Sequence, residues 1–332
     1  MENQPGPHPR SWTSAACLLG GSAALVAFGY AVGALSVHGE QEPVESEIRR
    51  PSAYAFINPL LECDAAGNLS VEFRPSRQAV EQVIDAHKQA KDVTDVAVYF
   101  RDLNNGPWFG IQEKMPFAAS SMLKVAHLMA VYKHAEDDPT LLKRAVAYTH
   151  AYHTEPQTIQ ASEQLRVGTT YTVEELVRRL IVYSDNEALY LLQDKVPEAD
   201  AEPVYKDLGI DFTVSNEISV RNYSSLFRIL FNASYLDRAW SERALKLISE
   251  VEYKGGLRKG VPSSIPVAHK FGERALANPL SQLHDCGIVY YPARPYLLCV
   301  MTRGTDMGRM EATIADVSGV VYEDIRGRFG SQ

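Results

Sequence analysis

The reading of this chain turns on one stretch, Pro116-Phe117-Ala118-Ala119-Ser120-Ser121-Met122-Leu123-Lys124-Val125. Behind it come Leu128, Met129, Val131 and Tyr132, with no Gly or Pro before Pro139, the pattern of a mostly buried helix that starts near Ser121. A hydroxyl at a helix start lies in the field of free backbone N–H groups. At helical spacing Lys124 falls beside Ser121 on the same face. Burial disfavours the charged form of a lysine, so Lys124 could take the proton of Ser121 and make it a nucleophile. A capping serine followed by a surface lysine is the plainer account, and S-x-x-K arises by composition about once in a chain of this length. Ser120 offers no rival, because its third neighbour is Leu123.

Working outward, 332 residues with 45% apolar and 22% charged side chains are ordinary globular usage, enough for one large domain or two moderate ones. The net charge of −8 and the absence of a basic cluster interleaved with aromatics argue against a nucleic-acid partner. Cys17, Cys63, Cys286 and Cys299 form no C-x-x-C pair, so zinc and thioredoxin-like chemistry are not indicated. His150 and His153 lack a following carboxylate motif and read as surface or packing residues, so no metal and no cofactor is expected. A turn centred on Ala293 and Arg294 would set Cys286 opposite Met301, and on that reading no disulfide joins Cys286 to Cys299.

Toward the N-terminus, Ser11 to Ser36 carries no charge, and Ala15 to Leu35 alone would make a helix of about 31 Å, close to the hydrocarbon thickness of a bilayer. Arg10 before it and Glu40, Glu42 and Glu45 after it orient residues 1–10 to the cytoplasm and the remainder outside. A cleaved signal peptide competes, with Val32 and Ala34 as small residues before a cut, but the poorly basic start favours an uncleaved anchor over 11–36. Residues 37–74 are a juxtamembrane segment, whose Ile57 to Asp64 is too apolar for a free linker. The remaining domain spans 75–330.

Within that domain Pro75 and Ser76 open a helix with Val80, Val83, Ile84 and His87 on one face. Val93 to Asp102 alternates and, across the Asn104-Asn105-Gly106 turn signal, pairs with Trp108 to Ile111. Helical patterns fill the middle, one beginning near Thr172. Strand patterns return at Ile265 to Phe271, Cys286 to Tyr291 and Tyr296 to Thr302, before a last helix carrying Met310, Ile314, Val317 and Val321. The order implies an α+β fold: a mixed sheet assembled from both ends of the domain, flanked by helices, with a helical lobe inserted between. The nucleophile would lie where lobe and sheet meet.

Three short motifs follow in order: Ser121-Met122-Leu123-Lys124, Ser184-Asp185-Asn186 and Lys270-Phe271-Gly272. Together with Tyr171-Thr172-Val173-Glu174-Glu175-Leu176 and Asp285-Cys286-Gly287-Ile288-Val289, they make the chain from Pro75 onward resemble the penicillin-recognising serine enzymes, most closely the class A β-lactamase-like hydrolases. The resemblance implies a β-lactamase/transpeptidase-like antiparallel sheet with an all-α lobe. It also implies an acyl-enzyme mechanism on a β-lactam or a D-alanyl peptide of the cell wall. Ser121 would attack the carbonyl with Lys124 as base, Ser184 would pass a proton to the leaving nitrogen, and Asn186 would hold the substrate amide. Lys270 would supply positive charge. The backbone N–H groups of Ser121 and Glu273, beside Gly272, would form an oxyanion hole, where each donor typically contributes about 3 to 4 kcal/mol.

Two departures from the family stand out. The Glu-x-x-Leu-Asn pattern whose glutamate activates the deacylating water is missing; Glu217, followed by Ile218-Ser219-Val220-Arg221, reads as a solvated loop acid. Phe271 stands where the family carries a hydroxyl that helps bind the substrate carboxylate; a phenyl ring cannot hydrogen-bond, so carboxylate recognition would fall to Lys270 and a neighbour such as Arg274. These departures leave a second reading open, a catalytically silent domain that binds wall peptide or a protein partner.

Overall fold

In a computed structural model, residues 54–59, 71–104, 106–152, 154, 157–210, 217–276 and 279–330 are described. They all fall in the compact unit 47–332. Strands β1 (Asp95–Asp102) and β2 (Trp108–Ile111) come from its beginning; β7 (Val267–Ala275), β8 (Ser281–Val289) and β9 (Tyr296–Gly304) come from its end. They form one antiparallel sheet in the order β2-β1-β9-β8-β7. Side chains alternate across a strand, and this sheet is covered on both faces. Val96, Val98 and Phe100 of β1 and Leu298 and Val300 of β9 pack with Val80 and Ile84 of the helix Arg74–Gln89 and Ile314 and Val321 of the helix Met307–Phe329. Ala97 and Tyr99, with Leu297, Cys299 and Met301, belong instead to the core shared with the helical middle of the chain. Two covered faces explain why β1 and β9 read as almost unbroken apolar runs.

The helix Lys124–Asp137 runs through that second core, buried on nearly every side from Lys124 to Tyr132. A helix apolar all round belongs in an interior. Around it lie the helices Val173–Val182, Asn186–Lys195, Val220–Asn232 and Arg238–Ser249. This region also carries two short antiparallel pairs: β3 (Pro116–Ala118) with β6 (Glu217–Ser219), and β4 (Ala145–Tyr148) with β5 (Thr169–Thr172). Glu217 therefore sits on a strand opposite Ala118, exposed, and not in a loop. Ahead of the domain, Ile57 is buried, and the backbone N–H groups of Ala55, Phe56 and Ile57 all donate to the carboxylate of Glu242.

The expectation for the cysteines is corrected. Cys286 and Cys299 are directly opposed in the β8–β9 ladder, Cα atoms 4.0 Å apart, and are joined by a disulfide. The hairpin turn is centred one residue earlier than the sequence reading put it. Arg294 N–H donates to Tyr291 O at 3.0 Å, with Pro292 in the first central position and Ala293 at φ 57° in the second. A proline followed by a positive φ is a type II-like arrangement. Moving the turn by one residue moves the partner of Cys286 from Met301 to Cys299.

Among the described residues no helix is long and apolar enough to cross a membrane. The anchor expected over 11–36 lies outside the described residues, as do residues 1–10 and most of 37–74.

Candidate active site

Ser121 reaches its position through β3. Ala118 N–H donates to Gln282 Oε1 at 2.9 Å, and the Nε2 of buried His284 lies 3.1 Å from Ala118 O. Thr302 N–H donates to His284 Nδ1, so that ring is neutral with its proton on Nε2; burial pushes its pKa down to about 3. After β3 the chain turns sharply, Ser120 adopting φ 51°, and enters the 3-10 turn Ser120–Leu123 that leads into the helix Lys124–Asp137. Tyr223 Oη donates to Met122 O at 2.8 Å and pins the turn from the helical side. Ser121 itself is half-buried.

Lys124, 1% exposed, sends its amine across to the second motif. Its Nζ donates to Ser184 O and Asn186 Oδ1, both at 2.6 Å, and lies 3.3 Å from Ser184 Oγ. Burial pushes its pKa down to about 7, against the pull of Asp185 and Glu273. The amine is therefore poised to gain or lose a proton near neutrality. The Lys124 backbone N–H donates to Ser121 O within the 3-10 turn, but among the described residues no hydrogen bond joins Lys124 Nζ to Ser121 Oγ. Such bonds are often long in an empty site and tighten around substrate.

The second motif is a junction between two helices. A capping box made by Thr172 and Glu175 starts the helix Val173–Val182. The chain then breaks at Ser184, whose φ of 55° puts a non-glycine residue in the left-handed region, a conformation that surrounding contacts must hold. Asp185 begins the next helix, its Oδ1 accepting from Glu187 N and Ala188 N. Asp185 is thus a cap, while its neighbours Ser184 and Asn186 carry the polar contacts of the site.

On β7, the buried Lys270 donates from Nζ to Ser184 Oγ at 2.9 Å and to Phe271 O at 2.8 Å. One hydroxyl therefore stands within reach of both lysine amines, one from the helical region and one from the sheet. Burial, and then the Lys124 charge, hold Lys270 well below the ordinary lysine range, opposed by Asp285 and Glu273. Phe271, 2% exposed, packs against the Tyr253 ring, centroids 4.5 Å apart. Gly272 is needed for close approach: a Cβ there would lie 2.8 Å from Met122 Cγ and 3.1 Å from Met122 N. That contact brings β7, the edge strand of the sheet, against the Ser121 turn.

Lys124, Ser184, Asn186 and Lys270 thus form one hydrogen-bonded cluster, with Ser121, Gly272 and Glu273 adjoining it. Sequence reasoning missed several contributors. Gln157 donates from Nε2 to Ser184 O, and Ile159 N–H donates to Glu273 Oε1 at 2.9 Å. Asp285, opposite Phe271 in the ladder, pairs with His269 at 2.9 Å and accepts from Leu257 N. The resemblance had singled out only the backbone of Glu273, and no local pattern announces a side chain brought in from another strand. His150 packs against Tyr152, His153 lies outside the described residues, and no metal-binding cluster occurs among the described residues.

A sequence signature of the Beta-lactamase enzyme family matches residues 75–325. Solved structures with the same fold include a β-lactamase from Chitinophaga pinensis, 21% identical, covering 76% of this chain and 99% of that one with a TM-score of 0.66. The class A β-lactamase from Mycobacterium abscessus is 20% identical, covering 74% and 99% with a TM-score of 0.62. A PBP-A mutant caught as its acyl-enzyme with penicillin G is 19% identical, covering 76% and 97% with a TM-score of 0.62. No curated protein matches. The fold and family define a serine hydrolase of the class A type. The chain belongs to the Beta-lactamase enzyme family.

Proposed function

We propose that this protein is a membrane-anchored serine acyl hydrolase working outside the cytoplasm, on β-lactams or D-alanyl cell-wall peptides, through an acyl-enzyme on Ser121. The observation that carries the reading is the position of Ser184 Oγ, 2.9 Å from Lys270 Nζ and 3.3 Å from Lys124 Nζ, beside the Ser121 turn. Lys124 takes the Ser121 proton as the oxygen attacks the carbonyl, and the backbone N–H groups of Ser121 and Glu273 receive the developing oxyanion. The proton then passes through Ser184 to the leaving nitrogen, and Asn186 holds the substrate amide. Water must afterwards attack the ester. A positioned base typically contributes 10²- to 10⁴-fold to such a step. Among the described residues no glutamate stands in a Glu-x-x-Leu-Asn loop, which supports slow deacylation and a penicillin-binding character.

The uncharged run Ser11 to Ser36 supports the anchor. The disulfide Cys286–Cys299 supports an oxidising compartment, where such bonds persist. Prolonged exposure to a fluorescent penicillin followed by peptide mapping tests the chemistry: the adduct should sit on Ser121, and labelling of a Ser121→Ala variant would sink the reading. Membrane fractionation tests the location, and recovery of the intact chain in the soluble cytoplasmic fraction would remove the anchor. Binding of wall peptide without any adduct would instead support a catalytically silent domain.

A further inference from the structure

β3 carries the chain into the Ser121 turn, yet it belongs to a two-stranded pair with β6 and not to the five-stranded sheet. Side chains tie it to that sheet. Gln282 and His284, two residues apart on β8 and so on one face of it, both reach Ala118, three residues before Ser121. Ala118 N–H donates to Gln282 Oε1 at 2.9 Å, and His284 Nε2–H donates to Ala118 O at 3.1 Å. The same Nε2 lies 3.1 Å from Gln282 Oε1, so the two side chains also brace each other. The ring is held from behind. Thr302 N–H donates to Nδ1 at 3.3 Å, which leaves Nε2 as the donating nitrogen, and the Phe117 ring meets the imidazole edge-on, centroids 5.3 Å apart. All of these partners are buried.

The register of the sheet puts this grip next to the nucleophile. His284 is the ladder partner of Gly272, the residue whose missing Cβ lets β7 close on Met122 N. The turn is thus held on both sides of Ser121: at Ala118 by β8, and at Met122 by Gly272 and the Tyr223 hydroxyl. What the grip fixes is the place of the Ser121 N–H and the direction in which its side chain leaves the turn. Ser120, by contrast, has its hydroxyl turned back onto Ala118 O at 3.3 Å. A backbone group that loses a buried partner must move or stay unpaired at a cost, and a 1 Å misplacement of a reacting atom typically costs about 10²-fold in rate.

We propose, resting on the acyl-enzyme reading, that His284 and Gln282 are positioning residues for the reaction: by gripping both polar groups of Ala118 they set where the Ser121 hydroxyl and its N–H stand relative to the substrate carbonyl. Neither touches a reacting atom. With its pKa pushed down to about 3 by burial, the imidazole stays neutral near pH 7, so the grip neither gives nor takes a proton during turnover.

The test follows acylation of the full-length protein by benzylpenicillin over a range of concentrations, by intact mass, with peptide mapping of the adduct to Ser121. The rate at saturation reports positioning, the half-saturating concentration reports binding, and the fraction finally labelled reports how much protein is folded. His284→Leu, which removes the donor to Ala118 O, should lower the saturating rate about 10- to 100-fold and leave the half-saturating concentration unchanged. His284→Gln, whose amide N–H reaches a similar distance, should restore most of that rate. Gln282→Asn, one carbon too short for Ala118 N–H, gives the same reading should the leucine variant fail to fold. Ser241→Ala, which removes a buried hydroxyl bond to Leu236 O away from the site, controls for lost stability and should label at the wild-type rate. Wild-type saturating rates in both His284→Leu and Gln282→Asn would overturn the proposal while leaving the acyl-enzyme reading intact. So would a change confined to the half-saturating concentration, a glutamine variant as slow as the leucine one, or an equal slowing in Ser241→Ala. Absence of a Ser121 adduct from the wild type would defeat the acyl-enzyme reading itself, and the positioning role with it.

Discussion

The two sides of the site are built in opposite ways. On the nucleophile side, Ser121, Lys124, Ser184 and Asn186 keep the residue types that the chemistry asks for, and their polar atoms converge within hydrogen-bond distance of Lys124 Nζ or on the adjoining turn. On the β7 side, Lys270 and Gly272 are retained, but a phenyl ring and two acids surround them. The difference separates residues that keep the family's types and their polar contacts, Lys124 and Ser184, from one that does not, Phe271, whose ring packs on Tyr253 along the edge strand β7.

The largest expected effect tests the nucleophile side alone. Ser121→Ala should abolish covalent labelling, a loss of about 10⁴-fold or more by comparison with nucleophile removal in other serine hydrolases. Residual labelling mapped to Ser120 would break the assignment of the two sides.

Lys124→Met should slow acylation by about 10²- to 10⁴-fold, the range for loss of a general base. In the wild type, with the Lys124 pKa pushed down to about 7, the acylation rate should rise as pH increases through that value and then level off. The stability sign follows from the same shift. The folded-state pKa lies below the ordinary value of 10.5, so between the two the unfolded chain binds more protons and stability rises with pH. The penalty of burying Lys124 is fully present below about 7 and fades toward 10.5. Melting temperatures of wild type and Lys124→Met compared at pH 6 and pH 9 should therefore shift in favour of the wild type at the higher pH. A constant difference would mean that Lys124 keeps its ordinary pKa.

Gly272→Ala probes the seam between the sides. A Cβ 2.8 Å from Met122 Cγ forces the β7 edge away from the Ser121 turn, costing about 1–3 kcal/mol of stability and slowing acylation by benzylpenicillin. A wild-type rate in the folded fraction would show that the seam does not govern acylation. The smallest effect on acylation belongs to the disulfide. Reducing Cys286–Cys299, which closes a loop of sequence separation 13, should lower stability by about 2–3 kcal/mol in thermal unfolding and leave the acylation rate of the folded protein unchanged. A changed rate would mean that the ladder carrying Asp285 is set by the bridge and not by its pairing.

By itself the sequence determined the order of the three motifs, the choice of Ser121 over Ser120, and the pieces of the fold, because these rest on short-range spacing. Strand-like apolar runs bounded by turn signals marked β1, part of β8 and β9; a helical stripe and a proline marked the helix Arg74–Gln89; an apolar run without Gly or Pro marked the helix Lys124–Asp137. Only the tertiary structure decided what those pieces face. A turn centred on Pro292 and Ala293 set the β8–β9 register and joined Cys286 to Cys299, a difference of one residue that composition cannot resolve. Packing aimed the Lys124 amine at Ser184 and Asn186 and not along its own helix to Ser121. The ladder put Asp285 across from Phe271, and the Ile159 N–H tied down one oxygen of Glu273, the other having no donor among the described residues. Residues distant in sequence meet because burying both faces of the sheet fixes strand register, and the charge each lysine feels is a sum over neighbours that only this register brings together.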